Sequence, residues 1–390
     1  MRVLDEQTFA AEIGPAAPNA AGDRVLVPVA GREVRVCRVD DGGRLGTERV
    51  IALPTEPYDD VENDDAEQDG PRFGYTRASF VGEDLAVVVR EIDSIPFNVA
   101  CIDLRSGAQI ADISPEEMYV HVYGPDPLPL GPRHVLAVGI ENAVCLEVPS
   151  LREAFRIRAF DEEGAPVGED EDVLGDEQIA ANGVAWDRSA STLHVLWSAF
   201  NQNSLQGYRI DLEQGAFERA YRRTDVSGDD GVGLCLNPDG SGLTAMVQTM
   251  DLLVPFAPGE AEAPRLARLG FLQLFAPDGA TETARIPLES ELRRDFAWGE
   301  HHTLAADGKT MTVTGYRFST DDLCTQPIYV APRRVVVGTP SGLLLGVDVA
   351  SGTQEVLHDL GGPLIGLRYH AATRRLVAAC RAGRLILLEA

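Results

Sequence analysis

The sequence predicts an all-β protein assembled from a repeated four-stranded antiparallel unit. Three observations lead to this fold class. One apolar–turn–apolar pattern recurs along the whole chain, a second such pattern alternates with it, and the last copy lacks one strand. Repeats of a fixed length, here about 58 residues, indicate an architecture in which small units bury their apolar faces against their neighbours.

The first pattern is a β-hairpin with alternating Val, Leu, Ile and Thr on both sides of a polar turn. Its turns are centred near residues 22, 83, 132, 190, 240, 308 and 373, so the mean spacing is about 58 residues. The copies read NAAGDRVLVPV, ASFVGEDLAVVV, PRHVLAV, VAWDRSASTLHVLW, LCLNPDGSGLTAMV, TLAADGKTMTVTG and LRYHAATRRLVAAC.

The second pattern is a strand that ends in an acidic or small residue, a turn and an outgoing strand. Its turns lie near residues 42, 107, 151, 215, 279 and 352, each after one copy of the first pattern. Two hairpins in each period give four strands, which is the blade of a β-propeller. We therefore predict a seven-bladed β-propeller, with six blades as the alternative if the weak copy PRHVLAV is misread.

The seventh repeat has room for three strands only, because RAGRLILLEA is all that follows its first hairpin. The first repeat begins near Gly22, so residues 2–13 are left over at the N-terminus. We predict that this segment completes the last blade and closes the ring, which covers an open sheet edge that would otherwise invite aggregation. Residues 1–390 then form a single propeller domain.

This pattern resembles the seven-bladed propellers of the WD40 and YVTN type over nearly the whole chain. The Pro238-Asp239-Gly240 and Pro277-Asp278-Gly279 turns are similar to those of YVTN or TolB-like blades. The WD40 signature is absent, because Trp186-Asp187 falls at the end of an inner strand instead of the usual strand. The resemblance therefore implies an architecture and no set of functional residues.

Four expanded connections break the regular spacing, and we expect all four on one face of the propeller. Two follow repeats one and three, and two are placed between the second and third strands of repeats five and six. These two kinds of connection emerge at the same face of an up-and-down blade, where function usually lies. The expansions cover about residues 56–72, 161–178, 255–268 and 318–334.

The chain carries 34 basic and 61 acidic side chains, a formal net charge of −27. This balance argues against nucleic acid and anionic membranes as partners, because phosphates are bound by clustered Lys and Arg. No signal peptide or membrane-spanning stretch is found, so we expect a cytoplasmic protein. Lys309 is the only lysine, and this strong preference for Arg suggests a bacterial source with a GC-rich genome.

Most of the net charge lies in two of the expansions. Residues 56–72 carry a net charge of −7 and residues 161–178 carry −9. Such blocks either solvate the surface or dock a partner with a basic surface. The candidate docking residues are Asp59, Asp60, Asp64, Asp65, Glu169, Asp170, Glu171 and Asp172. Asp65 to Gly70 also imitates part of a calcium loop, but Thr76 occupies the position of its bidentate Glu.

Polar residues that precede the first hairpins are expected to ring the mouth of the central channel. This set could coordinate a metal or supply acid–base groups, and lactonase-like propellers hold a calcium in such a place. The plainer alternative is a hydrated mouth without chemistry. The candidate residues are Arg77, Tyr119, His121, Asn182, Asp229, Asp230, Glu300, His301 and His302.

No catalytic motif is recognised, and the six cysteines are interpreted as buried apolar side chains. We therefore expect a non-catalytic protein-interaction platform that needs no cofactor. One alternative is a metal-dependent hydrolase or lactonase-like enzyme at the channel mouth, with calcium or another divalent cation. A second alternative is a propeller that resembles those of bacterial AAA+ ATPase and von Willebrand A systems.

Overall fold

A computed structural model describes the chain as an all-β structure. The described residues are 1–53, 76–90, 99–113, 125–139, 142–159, 180–199, 202–226, 230–248, 253–255, 265–292, 298–304, 311–318, 324–339, 342–380 and 382–390. Every regular element within these ranges is a β-strand. Accordingly, the described part of the chain has no helix long and apolar enough to cross a membrane.

Strand β1 (Arg2–Thr8) comes first, and the next twelve strands form three four-stranded antiparallel blades. Blade 1 contains β2 (Ala17–Pro18), β3 (Arg24–Val29), β4 (Glu33–Val39) and β5 (Leu45–Ala52). Blade 2 contains β6 (Thr76–Val81), β7 (Leu85–Arg90), β8 (Val99–Asp103) and β9 (Gln109–Ile113). Blade 3 contains β10 (Leu128–Gly131), β11 (His134–Val138), β12 (Asn142–Glu147) and β13 (Arg152–Arg158).

Blades 4 and 5 contain the longest strands. Blade 4 contains β14 (Ala180–Asp187), β15 (Thr192–Ala199), β16 (Gln202–Asp211) and β17 (Ala216–Val226). Blade 5 begins with β18 (Asp230–Leu236) and β19 (Leu243–Gln248), and the chain then forms the separate strand β20 (Leu253–Pro255). The blade is completed by β21 (Arg265–Phe275) and β22 (Glu282–Leu292).

Two further strands precede blade 6 and stand outside the blades. They are β23 (Trp298–Leu304) and β24 (Met311–Phe318). Blade 6 contains β25 (Ile328–Ala331), β26 (Arg334–Gly338), β27 (Leu343–Asp348) and β28 (Gln354–Asp359). Blade 7 contains β29 (Leu364–His370), β30 (Arg375–Cys380) and β31 (Arg384–Glu389). The sheet order of blades 1 to 6 follows the chain, and together with the sheet of blade 7 these confirm seven blades over six.

The N-terminal strand completes blade 7, as the sequence predicts. Strand β1 pairs antiparallel with β31, from Arg2 opposite Glu389 to Thr8 opposite Arg384. The Arg384 guanidinium binds both carboxylate oxygens of Glu6, at 2.7 and 3.1 Å. The two ends of the chain therefore share one sheet, and the ring is closed by hydrogen bonds instead of a covalent link.

The core lies between neighbouring blades, because each blade packs both of its faces. The second strand of blade 2 shows the consequence: in LAVVVR the last five residues are all buried. Alternate residues of this strand enter two different clusters, with Ala86 and Val88 packed against blade 1 and Val87 and Val89 against blade 3. This packing explains why β7 is a continuous apolar run instead of an alternating one.

The sixth repeat is the one place where the sequence-based assignment is wrong. The hairpin TLAADGKTMTVTG belongs to β23 and β24, which form a separate three-stranded sheet with β20 in the order β20-β24-β23. The first hairpin of blade 6 is β25 and β26 instead. Residues 318–334 are therefore not an insert within a blade, because they contain the inner strand of blade 6.

Connection lengths differ sharply between the two ends of the propeller. Turns between first and second strands, and between third and fourth strands, contain six residues or fewer. Every longer connection joins a second strand to a third or one blade to the next, and antiparallel order places both kinds at the opposite end. We call these the short-turn end and the insert end. The acidic segments 56–72 and 161–178 join blade 1 to 2 and blade 3 to 4.

Candidate functional site

The inner strands of all seven blades line a cavity on the axis of the ring. Its volume is about 440 Å³. Because the inner strands are mostly apolar, its walls are made largely of proline, aliphatic and aromatic side chains. One lining residue from each blade, in order, is Pro18, Phe80, Pro129, Val184, Leu236, Ile328 and Tyr369.

A carboxylate shared by two arginines is the charged feature of this cavity. Asp126 Oδ1 accepts a hydrogen bond from Arg77 Nη1 at 3.3 Å, and its Oδ2 accepts one from Arg368 Nη2. The Asp126 side chain is 6% exposed, the Arg77 side chain 10% and the Arg368 side chain 24%. Arg77 is therefore the buried partner, whereas Arg368 and Asp126 line the cavity.

Three different blades supply this cluster. Arg77 is the second residue of β6 in blade 2, and Arg368 lies in β29 of blade 7. Asp126 stands between Pro125 and Pro127 just before β10 of blade 3, and these prolines restrict the backbone on both sides of it. Burial lowers the pKa of Arg77, Asp126 opposes that effect and Arg368 adds to it. Arginine nevertheless keeps its charge at physiological pH.

Tyr329 is a polar residue of the cavity wall whose hydroxyl is bonded to a residue outside the wall. The Tyr329 hydroxyl shares a hydrogen bond of 2.7 Å with Thr244 Oγ1, and burial raises the pKa of Tyr329 to about 12. Arg368 and Asp126 are therefore the groups through which the described wall presents charge to the cavity.

Two predicted channel residues are described with their side chains. Arg77 joins the Asp126 cluster, as given above. Asn182 lies in β14 at a register shift between Ala181 and Gly183, and it is 6% exposed. Its Oδ1 has no hydrogen-bond partner among the described residues. The two residues were predicted at the channel mouth, and the structure places both in inner strands.

Three further predicted channel residues lie outside the described part of the chain, and only the backbone of a fourth is described. Tyr119, His121 and Asp229 lie outside the described residues. Asp230 is the first residue of β18, the inner strand of blade 5, and its backbone pairs with Gln248. The predicted role of these four residues in a channel site stays a prediction.

Glu300, His301 and His302 do not lie in an inner strand of a blade. They belong to β23, which pairs with β24 in the separate three-stranded sheet. The register shifts between His301 and His302, whose partners are Gly315 and Val313. Their placement in the inner strand of blade 6 was wrong, because an inserted hairpin has the same local pattern as a blade hairpin.

The predicted docking residues all fall on the two acidic connections. Asp59, Asp60, Asp64 and Asp65 lie between β5 and β6, and Glu169, Asp170, Glu171 and Asp172 lie between β13 and β14. All eight, and the calcium-like stretch from Asp65 to Gly70, lie outside the described residues. Their flanking strands assign both connections to the insert end.

Sequence reasoning missed Asp126 and Arg368, although a signal for blade 6 was present. Pro127, Pro132 and Arg133 of blade 3 match Pro327, Pro332 and Arg333 of blade 6 at identical spacing. Asp126 in blade 3 therefore occupies the same repeat position as Gln326 in blade 6, and the match identifies β25 as an inner strand. Arg368 carries no comparable signal, because its partner is 242 residues away in the sequence.

The cysteines behave as buried apolar side chains. Five of the six are buried, Cys235 is partly buried, and none forms a disulfide. Burial raises the pKa of Cys37 and of Cys101 to about 11, which disfavours the reactive thiolate. Within the described ranges, no three His, Cys, Asp or Glu side chains cluster closely enough to hold a metal ion.

Seven four-stranded blades closed around an axial cavity define the seven-bladed β-propeller class. Among solved structures, the chain is similar to BamB from Moraxella catarrhalis, with a TM-score of 0.53 and 12% sequence identity. That match covers 98% of this chain and 85% of that chain. At this identity the likeness concerns the fold alone. No protein-family model and no curated protein matches the sequence.

Proposed function

We propose that this propeller is a non-catalytic platform that binds a protein partner through its insert end. The observation that supports the proposal is the asymmetry of the connections. All long connections join strands at one end, while the other end has turns of six residues or fewer. A ring of blades that carries its long connections on one face is typical of a binding scaffold.

The charge of the connections indicates the kind of partner. Residues 56–72 and 161–178 together carry −16 of the net charge of −27. Opposite charges attract over several ångströms, so such segments speed the approach of a basic surface and make association sensitive to salt. The partner we propose is therefore a protein with a basic surface, met in the cytoplasm.

The test compares two variants with the same change of net charge. In the first, Asp59, Asp60, Asp64 and Asp65 become Asn. In the control, exposed acids away from the insert end are neutralised, namely Asp41→Asn, Glu48→Gln, Glu213→Gln and Glu218→Gln. Each variant and the wild type is used as bait in a bacterial lysate, and captured proteins are quantified at about 0.05 and 0.5 M salt.

We expect the wild type and the control to capture the same partner at low salt and to lose it at high salt. The insert variant should capture it at least about fivefold less well, because four attractive charges are removed. Equal capture by the two variants would contradict docking through this segment. The same comparison with Glu169, Asp170, Glu171 and Asp172 tests the second acidic connection.

A further inference from the structure

The axial cavity lies in the half of the ring nearest the short-turn end. Each inner strand runs from the insert end toward the short-turn end, because a short turn connects it to the second strand of its blade. The lining residues Phe80 and Tyr369 are the second-to-last residues of β6 and β29, and Leu236 is the last residue of β18. The cavity is therefore separate from the acidic connections at the insert end.

The charged residues of the described cavity wall balance each other. Arg368 is positive and Asp126 is negative, and the Arg368 guanidinium donates through Nη2 to Asp126 Oδ2. The second carboxylate oxygen of Asp126 accepts a hydrogen bond from Arg77, so both of its oxygens are bonded. A ligand with a net charge would lose its hydration here without gaining a counter-charge, which costs free energy. The wall therefore favours an uncharged ligand.

Two uncharged polar side chains of the wall have no hydrogen-bond partner in the described part of the chain. They are the hydroxyl of Ser79, a residue that is only 7% exposed, and the carboxamide of Gln326. A buried donor or acceptor without a partner costs free energy, and a ligand that bonds to it removes that cost. Both side chains can donate and accept hydrogen bonds, so they suit a ligand group that does the same.

The topology places both polar side chains near the ion pair. Ser79 follows Arg77 by two residues in β6, and alternate residues of a strand lie on the same face. Gln326 lies two residues before β25 of blade 6, which packs against β29, the strand that contains Arg368. Most of the remaining wall consists of proline, aliphatic and aromatic residues.

We propose that the axial cavity binds a small uncharged molecule that has an apolar body and a carboxamide group. The apolar body packs against the proline, aliphatic and aromatic wall, and the carboxamide bonds to Gln326 and Ser79. The volume of about 440 Å³ lies within the range of small-molecule sites. This site goes beyond the platform function and does not depend on a protein partner.

The test compares four fluorinated probes on purified full-length protein, with binding measured by fluorine NMR and calorimetry. The uncharged amide is 4-fluorobenzamide, the anion is 4-fluorobenzoate, the cation is 4-fluorobenzylammonium, and fluorobenzene has no hydrogen-bonding group. We expect the amide to bind and each of the other three to bind at least about fivefold more weakly. The charged probes lose hydration without gaining a counter-charge, and fluorobenzene leaves the polar side chains unpaired.

Two variants test the proposed hydrogen bonds separately. Gln326→Leu keeps a side chain of similar size, so we expect at least about a fivefold loss of 4-fluorobenzamide binding and unchanged binding of fluorobenzene. Ser79→Ala removes a hydroxyl from a different blade and should weaken the amide at least about threefold. Gln214→Leu makes the same change at an exposed glutamine in the turn between β16 and β17, and it should bind as the wild type does.

Four outcomes would overturn the proposal. They are no binding of 4-fluorobenzamide to the wild type, equal or tighter binding of either charged probe, equal binding of fluorobenzene, and unchanged amide binding in Gln326→Leu. An equal loss of amide and fluorobenzene in that variant would also contradict it, because Gln326 would then only shape the wall. Since no partner protein is present in the assay, none of these results depends on docking at the insert end.

Discussion

At the scale of single residues, blade 4 contains a buried histidine that must stay neutral. His194 in β15 is 3% exposed, and its Nδ1 shares a hydrogen bond of 2.6 Å with the Tyr221 hydroxyl. Burial lowers the pKa of His194 to about 4, and Asp187 only partly opposes that effect. A Cβ added to Gly207 would lie only 2.1 Å from the Tyr221 ring. The hydrogen bond between His194 and Tyr221 therefore depends on glycine at position 207.

This histidine predicts a defined pH dependence of stability. The pKa of about 4 in the folded protein lies below the value of 6.5 for an unperturbed histidine, so the unfolded chain binds the proton first. The free energy of unfolding is therefore highest above pH 6.5 and falls as the pH decreases toward 4. The loss at the lower limit amounts to roughly 3 kcal/mol for a shift of this size.

Urea unfolding at pH 7.5, 6.0 and 5.0 measures this effect, because few carboxyl groups titrate in that range. His194→Gln is the matched variant: glutamine can still accept a hydrogen bond from Tyr221 but does not titrate. Its stability should change less than that of the wild type over the same range. Parallel curves for the two proteins would show that His194 does not cause the dependence.

At the scale of elements, several turns at the short-turn end share one arrangement, in which an Asp carboxylate accepts hydrogen bonds from the backbone of the turn. The Asp348 carboxylate accepts hydrogen bonds from the backbone N–H groups of Ala350 and Ser351, at 3.0 and 2.8 Å. These bonds, with help from Arg333, lower the pKa of Asp348 to about 2. Gly352 then takes a φ of +72°, and blades 2 and 4 repeat the turn with Asp103 and Asp211.

The left-handed backbone at Gly352 predicts a local cost for any side chain. A Cβ there meets only Ile286, at 3.8 Å, so Gly352→Ala tests conformation and not a clash. We expect the free energy of unfolding to fall by about 1 kcal/mol. Gly46→Ala is the control, because Gly46 has no positive φ and its Cβ would meet nothing within 4 Å. Equal stability of the two variants in urea would contradict this account.

At the scale of the whole molecule, stability depends on closing the ring. Strand β1 covers the edge of β31, and the Glu6–Arg384 and Arg2–Glu389 pairs lie along this seam. Where blade 7 adjoins blade 1, His370 Nε2 forms a hydrogen bond of 2.9 Å with the Ala20 carbonyl oxygen of blade 1. Blade 7 is thus completed by sheet pairing with β1, and it is joined to blade 1 by a turn contact.

Deletion of residues 1–8 should open this seam. The edge of β31 would then expose unpaired N–H and C=O groups, so we expect a lower melting temperature and self-association. Glu6→Gln is the control, because it weakens one half-exposed ion pair by at most about 1 kcal/mol and should leave a monomer. Light scattering coupled to gel filtration measures both proteins. A truncated protein that stays monomeric and melts with the wild type would contradict closure by β1.

The platform function, the cytoplasmic location and the kind of partner concern the whole molecule. All three stay proposals. The hydrolase or lactonase-like alternative and the kinship with propellers of AAA+ systems also stay predictions. Asp230 and Asn182 lie in inner strands, as a channel site requires, while His301 and His302 do not. The insert end therefore carries the stronger argument for function.

The sequence by itself determined the blades, because apolar strings and turn residues act over a few neighbours. The number of repeats, the closure by β1 and the buried cysteines follow from such local patterns. The sixth repeat could not be assigned in this way, since β23 and β24 also alternate apolar residues around a turn. Only pairing with β20 shows that this hairpin belongs to a separate sheet.

The tertiary structure alone decided the composition of the channel. Arg77 and Arg368 reach Asp126 from 49 and 242 residues away in the chain, because ring closure brings their three inner strands around one axis. The sequence around each of these residues contains no pattern that predicts their contact. Ring closure, and not any local pattern, therefore brings these three charged side chains together.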